Sequence, residues 1–168
     1  MTRGFARILV PTDFSPPSAA ALGLAKALAA QFGASIHLVH VLQDPYATTA
    51  FATEAYGYVP SGLKESWQRE AQIQLDALLP PEEQAQFRVV TNVIFGKPAA
   101  AIVEYEREHA MNLIVMGTHG RGVVAHLLLG SVAERVVRTA ECPVLTVRGT
   151  AAALATINAD TERTPVTV

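Results

Sequence analysis

The chain predicts an α/β fold, an open, mainly parallel five-stranded sheet with helices on both faces. Three observations carry this reading. Five apolar runs of strand length recur along the chain, stretches with helical spacing separate them, and Gly, Pro or Asp punctuates the junctions. Such alternation makes the sheet mainly parallel, because each helix returns the chain to the end of the sheet from which the last strand left.

Arg7 to Val10 is a short apolar run stopped by Pro11-Thr12-Asp13, a buried strand that ends in a polar loop. Ser15-Pro16-Pro17 supplies a helix N-cap followed by prolines at the first helical positions. Leu22, Ala25, Leu28, Ala29 and Phe32 follow at helical spacing, and Gly33 closes the helix as its C-cap. Ser35 to Leu42 is the second strand. Residues 43–62 break the pattern: two prolines, two glycines, three tyrosines and one phenylalanine stand there without clean periodicity. That segment is either a lid or carries a short helix of its own. Helical spacing returns at Leu63, Trp67, Ala71 (or Gln74) and Leu78, and Pro80-Pro81 ends it. Phe87 to Phe95 is the third strand. Gly96-Lys97-Pro98 turns into a helix that buries Ile102, Val103 and Tyr105. Asn112 to Met116 is the fourth strand, Ser131 to Thr139 a helix bearing Val132, Val136 and Val137, and Cys142 to Val147 the fifth strand. From Gly149 onward the composition turns to Ala and Thr, so residues 149–168 read as a disordered tail and residues 1–148 as the domain.

Of the 168 residues, 50% are hydrophobic and 17% charged, which fits one compact domain. The net charge is −2 with no basic block, so a nucleic-acid partner gains no support. Cys142 alone excludes an internal disulfide framework and fits a reducing compartment. The opening MTRGFARILVPTDFS holds an apolar stretch of only four residues before Thr12, too short for a signal peptide or a membrane span. The expectation is a cytoplasmic protein without membrane association.

Residues 117–131, GTHGRGVVAHLLLGS, say most about function. Gly117, Gly120 and Gly130 are spaced G-x2-G-x9-G, with Ser131 directly after. The segment leaves a buried strand at Met116 and enters a helix at Ser131 and Val132. A glycine-rich turn ahead of a helix N-terminus can hold a phosphate chain, because backbone N–H groups point outward and the helix dipole favours negative charge. Arg121 is the nearest cation to such phosphates, or else a solvated loop charge. Gly122 reads as a flexibility residue. Ser131 serves equally as N-cap or phosphate ligand, since both use the same hydroxyl.

In open sheets, ligands bind beyond the strands' carboxyl ends, where strand order reverses. Pro11-Thr12-Asp13, the residues after Val41 and the Gly117 loop all stand at such ends. They converge if the first and fourth strands are neighbours. Asp13 is then either a ligand group or a turn and capping residue. Other chemistries find little support. His37 and His40 lie three apart on a strand and face opposite sides, so they cannot share a metal there. His119 and His126 have no carboxylate or cysteine pair beside them for zinc. Lys97 lacks the G-x4-G-K-[ST] frame, and neither G-x-G-x-x-G nor G-x-S-x-G is present. Cys142 reads as a buried small hydrophobe and Trp67 as packing.

These residues resemble the universal stress proteins, in their nucleotide-binding branch. ILVPTDFSPPSAAAL is similar to that family's opening strand and acidic loop. NLIVMGTHGRG followed by LLGSVAERVVRTAECPVLTVR is similar to its carboxyl-terminal signature, and the likeness covers residues 3–148. The resemblance implies strand order 3-2-1-4-5 and ATP (or AMP or ADP) at the switch point. Asp13 would meet the adenosine half, with Pro11 and Thr12 shaping its loop. The backbone at Val41 would read the adenine edge, Gly117 and Gly120 would lie under the ribose and phosphates, and Gly130, Ser131 and Val132 would begin the phosphate-binding helix. A magnesium ion riding on the phosphates needs few protein ligands. The family's habit of pairing last strands implies a homodimer through Pro143 to Val147. Residues 43–62 and the tail depart from the pattern.

The leading expectation is a homodimeric adenine-nucleotide sensor of the stress-response kind, not an enzyme beyond slow hydrolysis, since no general base or pair of catalytic cations stands around the glycine loop. The alternatives are a nucleotide hydrolase or transferase completed by residues 43–62, and a nucleotide-free dimeric adaptor.

Overall fold

A computed structural model describes residues 4–43, 62–118 and 130–148. Its elements are β1 (Arg7–Pro11), α1 (Pro16–Phe32), β2 (Ser35–Leu42), α2 (Leu63–Asp76), α3 (Pro81–Gln86), β3 (Val90–Phe95), α4 (Pro98–Glu108), β4 (Leu113–Gly117), α5 (Ser131–Thr139) and β5 (Val144–Val147). The strands form one sheet in the order β3-β2-β1-β4-β5, and every pair is parallel. β1 lies between β2 and β4, which makes the first and fourth strands neighbours as convergence requires.

The alternation of side chains along the strands builds two cores. Ile8, Val10, Ile36 and Leu38 face α1, where Ala21, Leu22 and Ala25 meet them. Leu9, Val39, Ile114 and Met116 face the other way, against Ile102, Val103 and Tyr105 of α4 and Val136 of α5. Strands buried on both faces read as unbroken apolar runs, and this is why the sequence displayed them so plainly.

Several junctions behave as the sequence predicts. Gly33 takes the left-handed conformation at φ 66° and donates its N–H to Ala29. Ser15 occupies the N-cap of α1, but its hydroxyl does not cap the helix; it donates to Asp13 instead. Ala71 is buried and Gln74 exposed, which resolves the alternative on α2. That helix stops at Asp76, so Leu78 lies beyond it.

The third strand is shorter than predicted. Pro80-Pro81 does not merely end a helix; Pro81 starts α3, with Glu82 and Glu83 in its first turn. Phe87 closes α3 as a buried residue, and Arg88 follows in the left-handed region at φ 45°. β3 therefore begins at Val90. The fifth strand begins at Val144 because the Cys142 N–H points to the Glu106 carboxylate and Pro143 has no N–H to give.

Candidate functional site

The carboxyl ends of β1, β2 and β4 and the start of α5 surround a cavity of about 550 Å³. That volume lies within the ~300–1,000 Å³ typical of small-molecule sites. Pro11, Thr12 and Asp13 line it from β1, Val41 from β2, and Met116 and Gly117 from β4. Gly130, Ser131 and Val132 close the side opposite. The structure thus brings nine of the eleven predicted residues to one cavity, the other two being Gly120 and Arg121, which lie outside the described residues. His119, His126, the 43–62 segment apart from its two ends, and the tail lie outside them too.

The β1 loop is held by its own short side chains. The Ser18 hydroxyl donates to the Ser15 carbonyl at 2.8 Å, so toward Thr12 it can only accept, and the Thr12 hydroxyl 3.0 Å away is the donor there. Thr12 Oγ1 in turn accepts the Phe14 N–H at 3.1 Å. Phe14 sits at φ 63°, a conformation disfavoured for a bulky residue. The ring of His40 lies against Phe14, with centroids 4.6 Å apart, and its Nδ1 reaches the Thr12 carbonyl at 2.8 Å. An acidic loop fixed this firmly is preorganised, so a ligand need not order it on arrival.

Asp13 is a turn residue that also stands on the cavity wall. Its Oδ1 accepts the Ser15 amide at 3.1 Å and the Ser15 hydroxyl. Burial alone would raise its carboxyl, but the Ser15 hydroxyl and amide hydrogen bonds outweigh this and hold it below the ordinary carboxylate value. The group is therefore a fixed negative charge, suited to hydroxyl or amine donors and repellent to phosphate.

Three helix starts lie at the cavity; α4 enters through Pro98, which has no N–H, and α1 and α5 differ in kind. α1 opens with Pro16 and Pro17, which have no N–H, and Asp13 stands beside it. α5 opens with Ser131, Val132 and Ala133, whose N–H groups have no acceptor within the helix. Between α1 and α5, an anion is thus favoured at α5. Gly130 itself is not among the donors. Its N–H goes to the Thr118 carbonyl at 2.6 Å, while its own carbonyl accepts the Glu134 N–H at 2.9 Å and starts the helix ladder. Gly117 likewise has a packing reason to be glycine, since a Cβ there would meet Pro17 at 2.9 Å.

His37 and His40 do fall on opposite faces. His37 contacts Tyr105 of α4, and His40 contacts Phe14 after β1. No cluster of three or more His, Cys, Asp or Glu that could hold a metal occurs among the described residues. Among them, too, no helix is long and apolar enough to cross a membrane.

A protein-family model described as the universal stress protein family matches residues 4–148. The chain belongs to the universal stress protein family. It is 34% identical over 144 residues to universal stress protein MJ0531 of Methanocaldococcus jannaschii, covering 86% of this chain and 82% of that one. Among solved structures, MJ0577 of the same organism superposes with a TM-score of 0.72 at 29% identity, covering 86% of this chain and 96% of that one. A universal stress protein solved in complex with cAMP gives a TM-score of 0.55 at 25% identity, over 88% of this chain and 99% of that one.

Within this universal stress protein fold, the sequence reading missed several walls of the cavity. Ser18, His40, Thr118, Pro98 and Ile102 also line it. Pro98 and Ile102 share one helical face, four residues apart, which is a signal the sequence does carry. Thr118 follows Gly117 and could have been named with it. Ser18 and His40 give no such sign.

Proposed function

We propose that this chain binds an adenine nucleotide in the cavity and acts as a homodimeric sensor of it, in the cytoplasm, with slow hydrolysis or none. The observation that carries this reading is the opposition, across one cavity, of Asp13 to the first amides of α5, which have no acceptor within the helix. A nucleotide has hydroxyl and amine donors at one end and anionic oxygens at the other, and the two sides of the cavity match those ends. The adenosine half lies toward Asp13 and the backbone at Val41. The phosphates lie on the Ser131 and Val132 amides and the Ser131 hydroxyl, with Gly130 leaving room for them. The relative solved with cAMP supports an adenine nucleotide as the ligand. ATP would carry its magnesium on phosphate oxygens, which asks little of the protein.

The outer edge of β5 bears the half-exposed Leu145 and supports pairing with a second copy. Binding then acts on partners through the dimer rather than through turnover. The test is a thermal-shift series on nucleotide-stripped protein with ATP, ADP, AMP, cAMP and GTP. Stabilisation by adenine nucleotides above GTP is the expected result. A flat response to all five by folded protein contradicts the reading.

A further inference from the structure

His40 ties the loop after β1 to β2 beside the cavity. Thr12, the first residue past β1, donates its N–H to the Val39 carbonyl of β2 at 2.8 Å. Its own carbonyl oxygen lies 2.8 Å from Nδ1 of the next residue on β2, His40. A carbonyl oxygen only accepts, so Nδ1 carries the hydrogen whether the ring is neutral or charged. The same ring packs on Phe14, with centroids 4.6 Å apart and 41° between planes. Phe14 stands at φ 63°, and a bulky residue stays there only where its surroundings fix it.

Asp13 lies between these two residues. One histidine thus grips the loop on both sides of the carboxylate, Thr12 by a hydrogen bond and Phe14 by its ring. The same stretch of loop carries its own bonds onward. Thr12 Oγ1 accepts the Phe14 N–H at 3.1 Å, and Asp13 Oδ1 accepts the Ser15 N–H at 3.1 Å.

Resting on the nucleotide reading of the cavity, we propose that His40 is a positioning residue for the ligand: its Nδ1–H holds the Thr12 carbonyl and so sets Asp13 against the adenosine half. His40 acts through Asp13 rather than by touching the ligand. The ligand then meets a carboxylate already in place and does not bear the cost of ordering it.

The test compares the full chain with two variants. His40→Phe keeps a ring but has no donor, and His40→Asn puts an amide donor near the place of Nδ1 without a ring. Amide exchange by NMR on nucleotide-stripped protein reads the loop directly, because the Ser15 N–H is bonded to Asp13. His40→Phe is expected to speed exchange at Phe14 and Ser15 by about tenfold, the loss of one hydrogen bond, while His40→Asn stays near the parent. Unchanged exchange in His40→Phe overturns the proposal, and so does equal acceleration in both variants. Calorimetric titration with ATP and magnesium then reads the ligand. His40→Phe is expected to weaken binding by about tenfold when Asp13 is present and to add no loss when Asp13→Asn has already been made. The same loss in both backgrounds overturns action through Asp13. A folded parent that binds no ATP contradicts the nucleotide reading instead, and amide exchange alone then decides whether His40 sets the loop. Should His40→Phe not fold, the ring 15N shifts of the parent decide. A hydrogen on Nδ1 supports the proposal, and a ring with its hydrogen on Nε2 alone overturns it.

Discussion

Gly117 packs backbone to backbone on Pro17: a Cβ built at Gly117 would stand 2.9 Å from the Pro17 carbonyl carbon and 3.1 Å from its oxygen. The end of β4 and the first turn of α1 are thus locked together at the rim of the cavity. Gly117→Ala is expected to lose about 1–3 kcal/mol of stability through overpacking. Urea unfolding of the nucleotide-free protein measures this. An unchanged midpoint would show that the two backbones separate freely and that the glycine serves the ligand alone.

Asp13 makes a pH prediction with a definite sign. Its folded-state carboxyl lies below the ordinary 3.8, so its contribution to stability is present above that value and disappears as pH falls through the folded one. Asp13→Asn should therefore melt lower than the parent near neutral pH, and the difference should shrink as pH falls below the ordinary 3.8 and through the folded value. Thermal unfolding across this range checks it. A difference that stays constant with pH would assign the loss to shape rather than charge.

Cys142 should be a slow nucleophile. Burial first, and then the Glu106 carboxylate beside it, push its thiol up to about 11. Against the ordinary 9.0 this leaves about a hundredfold less thiolate at about pH 8. Alkylation by iodoacetamide should run slower than for a free cysteine by a similar factor in the folded chain and recover on denaturation. Rapid labelling of folded protein would contradict a raised thiol at the partly buried Cys142. Glu106→Ala should also weaken the fold, since the Glu141 and Cys142 N–H groups, at 3.4 and 3.2 Å, lose their acceptor.

The proposed dimer rests on the edge of β5, where Leu145 is 38% exposed. A lysine on an edge strand discourages strand pairing between chains. Sedimentation should place the parent at twice the 17.9 kDa of one chain and Leu145→Lys at about one. A parent that sediments as a monomer would remove the dimer from the proposal while leaving the cavity untouched.

The sequence displayed the sheet well because its central strands are buried on both faces, so their apolar runs are nearly unbroken. α3 was missed for the converse reason: PEEQAQ buries no side chain and shows no apolar period. Of the cavity walls, Thr12, Asp13 and Gly130 stand in turns whose composition announces them. The close approach of Gly117 to Pro17 is invisible in one dimension, since it depends on how deeply α1 settles against β4. The His37–Tyr105 bond spans 68 residues, and a histidine within an apolar strand carries no sign of which helix will cover it.

The most direct measurement is a calorimetric titration of nucleotide-stripped protein with ATP and magnesium, beside Gly130→Asp. Gly130 sits at φ −70° and ψ 154°, a conformation open to any residue, so its backbone does not demand glycine. Aspartate puts bulk and like charge where phosphate is expected to lie. Saturable binding by the parent with loss in a folded Gly130→Asp is the predicted result. No binding by the folded parent, or equal binding by both proteins, would contradict a phosphate site at the start of α5.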